Sequence, residues 1–91
     1  MTDTPSAIAR TVLAVEAAAL TRLAAELPAD FDAVVTRLLA LQGRVIVSGM
    51  GKSGHVANKI AATLASTGTP AQAVHPGEAS HGALGMITRN D

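Results

Sequence analysis

Cysteine, tryptophan and tyrosine are missing from this 91-residue chain, and phenylalanine occurs once, at Phe31. The lack of cysteine removes disulfides, thiol nucleophiles and Cys-ligated zinc. One aromatic residue makes no stacking platform for nucleic-acid bases. An excess of either charge is also lacking, since seven Lys and Arg balance seven Asp and Glu; no basic surface for nucleic acid or an anionic membrane is expected. No apolar run approaches the ~20 residues of a membrane span, and the opening MTDTPSAIAR has an early acid and no signal-peptide core. These absences lead to the expectation of a soluble cytoplasmic protein with no nucleic-acid or membrane partner. The length suits one small domain or part of a larger one.

What is present is aliphatic and periodic. Thr4 followed by Pro5 predicts a helix start, because the threonine oxygen caps free N–H groups and proline is tolerated in the first turn. Ile8, Val12, Val15, Ala19 and Leu23 then recur at helical spacing to about Leu27, and Pro28 breaks the run. Asp30 is placed to cap a second helix with Phe31, Val34, Val35, Leu38 and Leu39 on its apolar face, stopped at Gly43; the two helices are expected to form a hairpin. Arg44–Ser48 is short, β-branched and apolar on both faces, as in a strand covered on two sides. A third helix is expected over His55–Thr67, with Val56, Ile60 and Leu64 on one face and Ala57, Ala61 and Ala65 allowing close packing beside it. Gly68 ends that helix, and a second strand follows at roughly Ala71–Val74. Strand, glycine turn, helix and strand make a βαβ unit, so the sheet should be parallel, with the loops after Ser48 and Val74 close together at its carboxyl edge.

The first of those loops is GMGKSG, Gly49 to Gly54. Its glycines fit the dinucleotide spacing G-x-G-x-x-G between strand and helix, but the acid that should hold a ribose about 20 residues on is missing. The chain reads GTPAQAVH from Gly68 to His75, and Glu78 is the first acid after the motif. A P-loop would need glycine at position 46, where Ile46 stands inside the strand. Two readings of the turn remain. In one, Gly49, Gly51 and Ser53 let backbone N–H groups at a helix start approach a single phosphate, with Lys52 adding a full positive charge. In the other, the glycines serve only tight strand-to-helix packing and Lys52 is solvated.

The second loop, HPGEASHG, carries His75, Glu78 and His81, two of the chain's three histidines within seven residues. Such a group binds a metal or moves protons between neighbouring oxygens. Its expected nearness to Lys52 favours a site over a coincidence.

The run GMGKSGHVANKIAATLASTGTPAQAVHPGEASHGALGMIT resembles the first half of a sugar isomerase (SIS) domain of the arabinose-5-phosphate isomerase family. The likeness covers Gly43 to about Asp91, and GMGKSGH and HPGEASHG are specific in combination. It implies an α/β fold, a partial SIS-type parallel sheet over residues 44–91 preceded by an N-terminal helical region over 1–43. The family interconverts D-ribulose 5-phosphate and D-arabinose 5-phosphate through an enediol, for the Kdo sugar of Gram-negative lipopolysaccharide.

The resemblance further implies a catalytic Lys52, substrate contacts from Gly68, Thr69 and His81, and a metal-binding His75. The ion would be a modulatory zinc, since the chemistry requires no cofactor. A homo-oligomer is expected. Family members continue through further strands, later acidic residues and a catalytic histidine, and commonly a pair of CBS domains, so the chain is expected to be the first part of such a domain. A non-catalytic sugar-phosphate-binding SIS regulatory module is the alternative, and it would not need Lys52 and His81 together. A bare assembly fragment would need neither.

Overall fold

Thr4 and Pro5 start the first helix, α1 (Pro5–Ala25): the Thr4 hydroxyl accepts from the Ala7 N–H at 3.1 Å, and Pro5 occupies the first turn. The structure, a computed structural model, describes residues 3–91. α1 closes at Glu26, whose N–H donates to the carbonyls of Arg22 and Leu23, so it stops two residues before the expected Leu27. No residue of α1 is buried, and its apolar side chains, Ile8, Val12, Val15 and Leu23 among them, are exposed. The second helix, α2 (Phe31–Leu39), is entered through a backbone turn in which the Phe31 N–H donates to the Pro28 carbonyl. The chain divides into two compact units within α2, the first ending at Asp32 and the second running Ala33–Asp91.

The second unit holds the βαβ element. Strands β1 (Val45–Ser48) and β2 (Ala71–Val74) pair in parallel, with Val45 opposite Ala71 and Ser48 opposite Val74. Helix α3 (Lys52–Ser66) joins them and packs on both. It begins three residues earlier than expected, because the end of the glycine turn already has helical geometry. After β2 come a four-residue helix, α4 (Pro76–Ala79), and a 3-10 turn, Ala83–Met86.

The alanine line of α3, expected to allow close packing, is the one that meets the sheet. Ala57 and Ala61 are buried with Val74, whereas Val56 and Ile60 are exposed. Small side chains let the helix backbone settle close to the strands, and the larger aliphatic groups fall to one side. β1 is correspondingly half-buried and covered by α3 on one face, short of the two-sided covering expected.

Gly43 also has a different reason to be glycine. Its N–H donates to the Asn90 carbonyl at 2.9 Å, and a Cβ there would fall 2.4 Å from Asp91 Oδ1 and 2.7 Å from the Asn90 carbonyl. It admits the segment Thr88–Asp91 against the start of β1. The Asp91 carboxylate, almost wholly enclosed, accepts from the backbone N–H groups of Arg44 and Thr88, each at 2.8 Å, and from the Arg44 guanidinium at 3.2 Å. Arg44 also donates to Gln72 Oε1 on β2 and to the Met86 carbonyl. One arginine thus ties both strands and the carboxyl-terminal segment together.

The N–H donors of Thr88 and Arg44, with the Arg44 guanidinium, hold the Asp91 carboxyl well below the usual carboxylate range. A carboxyl whose pKa is lower in the folded than in the unfolded state stabilises the fold fully above its unfolded pKa. That contribution is lost as pH falls through the folded value. Asp91→Asn is therefore expected to be less stable than wild type near neutral pH, with a gap that narrows once pH drops below about 4. Urea unfolding at a series of pH values checks this; a gap that does not change with pH would contradict it.

Candidate functional site

The junction between β1 and α3 is built on contact between glycines. A Cβ at Gly49 would fall 2.7 Å from the Ser53 carbonyl, and one at Gly54 would fall 2.8 Å from the Gly49 carbonyl oxygen. Gly51, between them, has φ +57° and ψ −125° and caps α3 with no side-chain hydrogen bond. The first two positions are glycine for space and the third for conformation. The chain therefore passes from strand to helix in a turn of only three residues, Gly49 to Gly51, and the N-terminus of α3, with its free N–H groups, lies at the carboxyl end of β1.

Opposite this turn lies the segment after β2. A cleft of about 490 Å³ separates the two, lined by Gly49 and Gly51 on one side, His75 and Glu78 on the other, and His55 and Asn58 from α3. The loops after Ser48 and Val74 do meet at the carboxyl edge of a parallel sheet.

The helix sorts its polar residues between two flanks. Successive residues turn by about 100° in an α-helix, so with Ala57 and Ala61 facing the sheet, Gly51, Gly54, His55 and Asn58 fall on one side. Lys52, Ser53, Val56 and Ile60 fall on the other. The first set lines the cleft; the second lines a separate hollow of about 380 Å³ beside Val47 and Ser48 of β1. Of the residues singled out in the sequence, Gly49, Gly51 and His75 come together in the cleft. Lys52 and Ser53 border the neighbouring hollow. His81 lines neither; it is exposed, with its N–H donating to the Glu78 carbonyl.

Gly68 and Thr69 lie at the far end of α3. The N–H of Gly68 donates to Ala65 and that of Thr69 to Leu64, at 3.3 and 2.9 Å, and Gly68 has φ +100°, which together make a Schellman stop. The fifteen-residue helix that begins at Lys52 puts them roughly 22 Å from it along the axis. His55 and Asn58 were missed by sequence reasoning. Their signal was the spacing 51, 54, 55, 58, one helix face running down from the glycine turn.

A metal at His75 meets two obstacles within this chain. Among the described residues no three His, Cys, Asp or Glu side chains come together as a metal site requires. The Nδ1 of His75 already accepts the Gly77 N–H at 2.9 Å. The residues present do not fit a zinc site in this arrangement.

Residues 38–91 match the family model of the SIS domain. Arabinose 5-phosphate isomerase KdsD of Pseudomonas aeruginosa is 57% identical over 83 residues, which cover 91% of this chain and 26% of that protein. Arabinose 5-phosphate isomerase GutQ of Escherichia coli K12 is 54% identical over 82 residues, 90% of this chain and 26% of that one. The solved structure of E. coli CFT073 c3406 in complex with A5P superposes with a TM-score of 0.85 at 36% identity, over 97% of this chain and 48% of that one. The chain spans about a quarter of the length of the curated relatives it matches.

The glycine turn itself gives a structural prediction. Gly49→Ala must displace the first turn of α3 and is expected to destabilise by about 1–3 kcal/mol. Gly51→Ala meets no atom within 4 Å and costs only backbone strain, of the same order at most. Urea unfolding compares them, and only Gly49→Ala should disturb the amide resonances of Ser53 and Gly54.

Proposed function

The chain belongs to the SIS domain family, and on that premise we propose that the protein carrying it is an aldose–ketose isomerase interconverting D-arabinose 5-phosphate and D-ribulose 5-phosphate. The observation that carries this reading is the cleft that joins the glycine turn to the His75–Glu78 segment at the carboxyl ends of two parallel strands. In open α/β sheets ligands bind at this edge. The relatives named as arabinose 5-phosphate isomerases and the A5P complex of the structural neighbour supply the substrate class.

The chemistry assigns the roles. The phosphate rests against the N–H groups of the glycine turn at Gly49, Gly51 and Ser53, where the dipole of α3 adds partial positive charge. After the sugar ring opens, a base removes the C2 proton of the aldose and the C1 carbonyl oxygen becomes an enediolate. Return of a proton to C1, with proton transfer between the two oxygens, leaves the C2 ketone. The Lys52 ammonium stabilises the developing oxyanion, and His81 binds a hydroxyl. The sequence uses proton transfer and charge stabilisation alone, so it needs no metal.

Gly68 and Thr69, being at the other end of α3, would reach a substrate held at the glycine turn only from another copy of the chain. A homo-oligomer is part of the proposal for that reason. The family resemblance extends it to a cytoplasmic enzyme that supplies Kdo synthesis for lipopolysaccharide.

A second reading, a non-catalytic SIS module that senses sugar phosphates, draws support from the separation of Lys52 from the cleft by the ridge of α3. Lys52→Met in the full-length protein distinguishes the two. The isomerase reading expects the fold retained by circular dichroism and kcat lowered by about 100-fold or more, with KM changed less, because the charge acts on the enediolate. Near-wild-type kcat would remove Lys52 from the chemistry. Wild-type protein that binds both sugar phosphates without interconverting them would establish the sensing module.

A further inference from the structure

His75 stands at the end of β2 and forms the N-cap of α4. Its backbone is extended, with φ −74° and ψ 132°, and Pro76 fills the first helical position. The N–H of Gly77 donates to His75 Nδ1 at 2.9 Å, in the place where a serine or asparagine oxygen caps most helices. Gly77 is shaped to this contact. A Cβ on it would lie 3.0 Å from Nδ1 and 3.2 Å from Cε1, so the imidazole lies directly against its backbone.

A nitrogen that accepts an N–H bond carries no proton of its own, and a neutral imidazole has one N–H to place. The cap therefore puts the proton on Nε2. A metal ligand must offer a lone pair, and in this arrangement Nδ1 has given its own to Gly77 while Nε2 has none free. We propose that His75 is the cap of α4 held as the Nε2–H tautomer, and that it presents a hydrogen-bond donor, not a metal ligand, to the cleft it lines.

The consequence extends along the same wall of the cleft. α4 carries Glu78, which lines the same cleft, and the Ala79 N–H closes its single turn on the His75 carbonyl at 3.0 Å. Moving the ring to meet a metal would release the Gly77 N–H and loosen the turn that places Glu78. His75 is thus a positioning residue for Glu78 through Nδ1, and a contact for a ligand oxygen through Nε2. Naming that oxygen as a sugar-phosphate hydroxyl or carbonyl rests on the isomerase reading; the tautomer does not.

Two measurements on the full-length protein test the proposal. The first is the nitrogen spectrum of ring-labelled histidine at neutral pH, with His75 identified by its loss in His75→Asn. The expected result is a protonated Nε2 and an unprotonated Nδ1, unchanged by equimolar zinc chloride. A proton on Nδ1, or an Nε2 signal that shifts stoichiometrically with zinc, would overturn it. The second compares substitutions. Asparagine places its oxygen where Nδ1 was and keeps the cap, but it lacks a donor at the Nε2 position. His75→Asn should therefore unfold at the wild-type temperature while binding D-arabinose 5-phosphate about tenfold more weakly by calorimetry, the loss of one hydrogen bond. His75→Gln reaches the Nε2 position without capping and should lower the unfolding temperature. Unchanged affinity in His75→Asn would overturn the donor role. Wild-type protein that binds no sugar phosphate would overturn the ligand assignment and the isomerase reading, while the ring spectrum alone decides the tautomer.

Discussion

The close approach of Gly49 to the first turn of α3 is the constraint on which the site depends. With the Ser53 carbonyl only 2.7 Å from where a Cβ would stand, β1 passes into the helix through a tight turn of three residues, Gly49 to Gly51. That fixes the helix N-terminus at the strand end and, through Ala57 and Ala61, the rotation of the helix on the sheet. Everything chemical follows from the rotation. His55 and Asn58 turn toward β2 and the His75 segment, and Lys52 turns toward the exposed side of β1.

The same junction accounts for why two readings of GMGKSG fit the chain together. Steric need explains Gly49 and Gly54, and a positive φ explains Gly51, with no ligand invoked. Tight packing is also what brings free N–H groups to the carboxyl edge of a parallel sheet, beside a cleft with polar walls. A turn selected for packing becomes an anion cradle by position. The glycines alone therefore do not discriminate, and the weight of the functional reading falls on the second loop and on the SIS family match over residues 38–91.

Local chemistry was legible in the sequence where the partners are near in the chain. Thr4–Pro5, the β-branched run at Val45–Val47, and Gly68 as a helix stop each act within a few residues, and each appears in the structure. Gly43 was misread because its partners, Asn90 and Asp91, lie 47 or more residues away, and a glycine after an apolar helix looks the same whether it ends the helix or admits a distant strand of chain. The packing of α3 was legible in part: the alanines were read as allowing close approach, but which line meets the sheet was left open. Val56, Ile60 and Leu64 have the more apolar side chains, but a helix lying close on a two-stranded sheet needs small residues at the contact, and Ala57 and Ala61 provide them. Once the alanine line is taken as the contact, helical spacing alone places His55 and Asn58 toward the cleft. The Nδ1 contact that sets the role of His75 depends on ring orientation, which no spacing encodes.

The account stands on a sugar phosphate being transformed at the carboxyl edge of this sheet. The most direct measurement is the proton spectrum of D-arabinose 5-phosphate incubated with the full-length wild-type protein in the absence of added metal. The account predicts the appearance of D-ribulose 5-phosphate up to a fixed equilibrium ratio, reached equally from the ketose. Binding of the sugar phosphate with no conversion in either direction would contradict it.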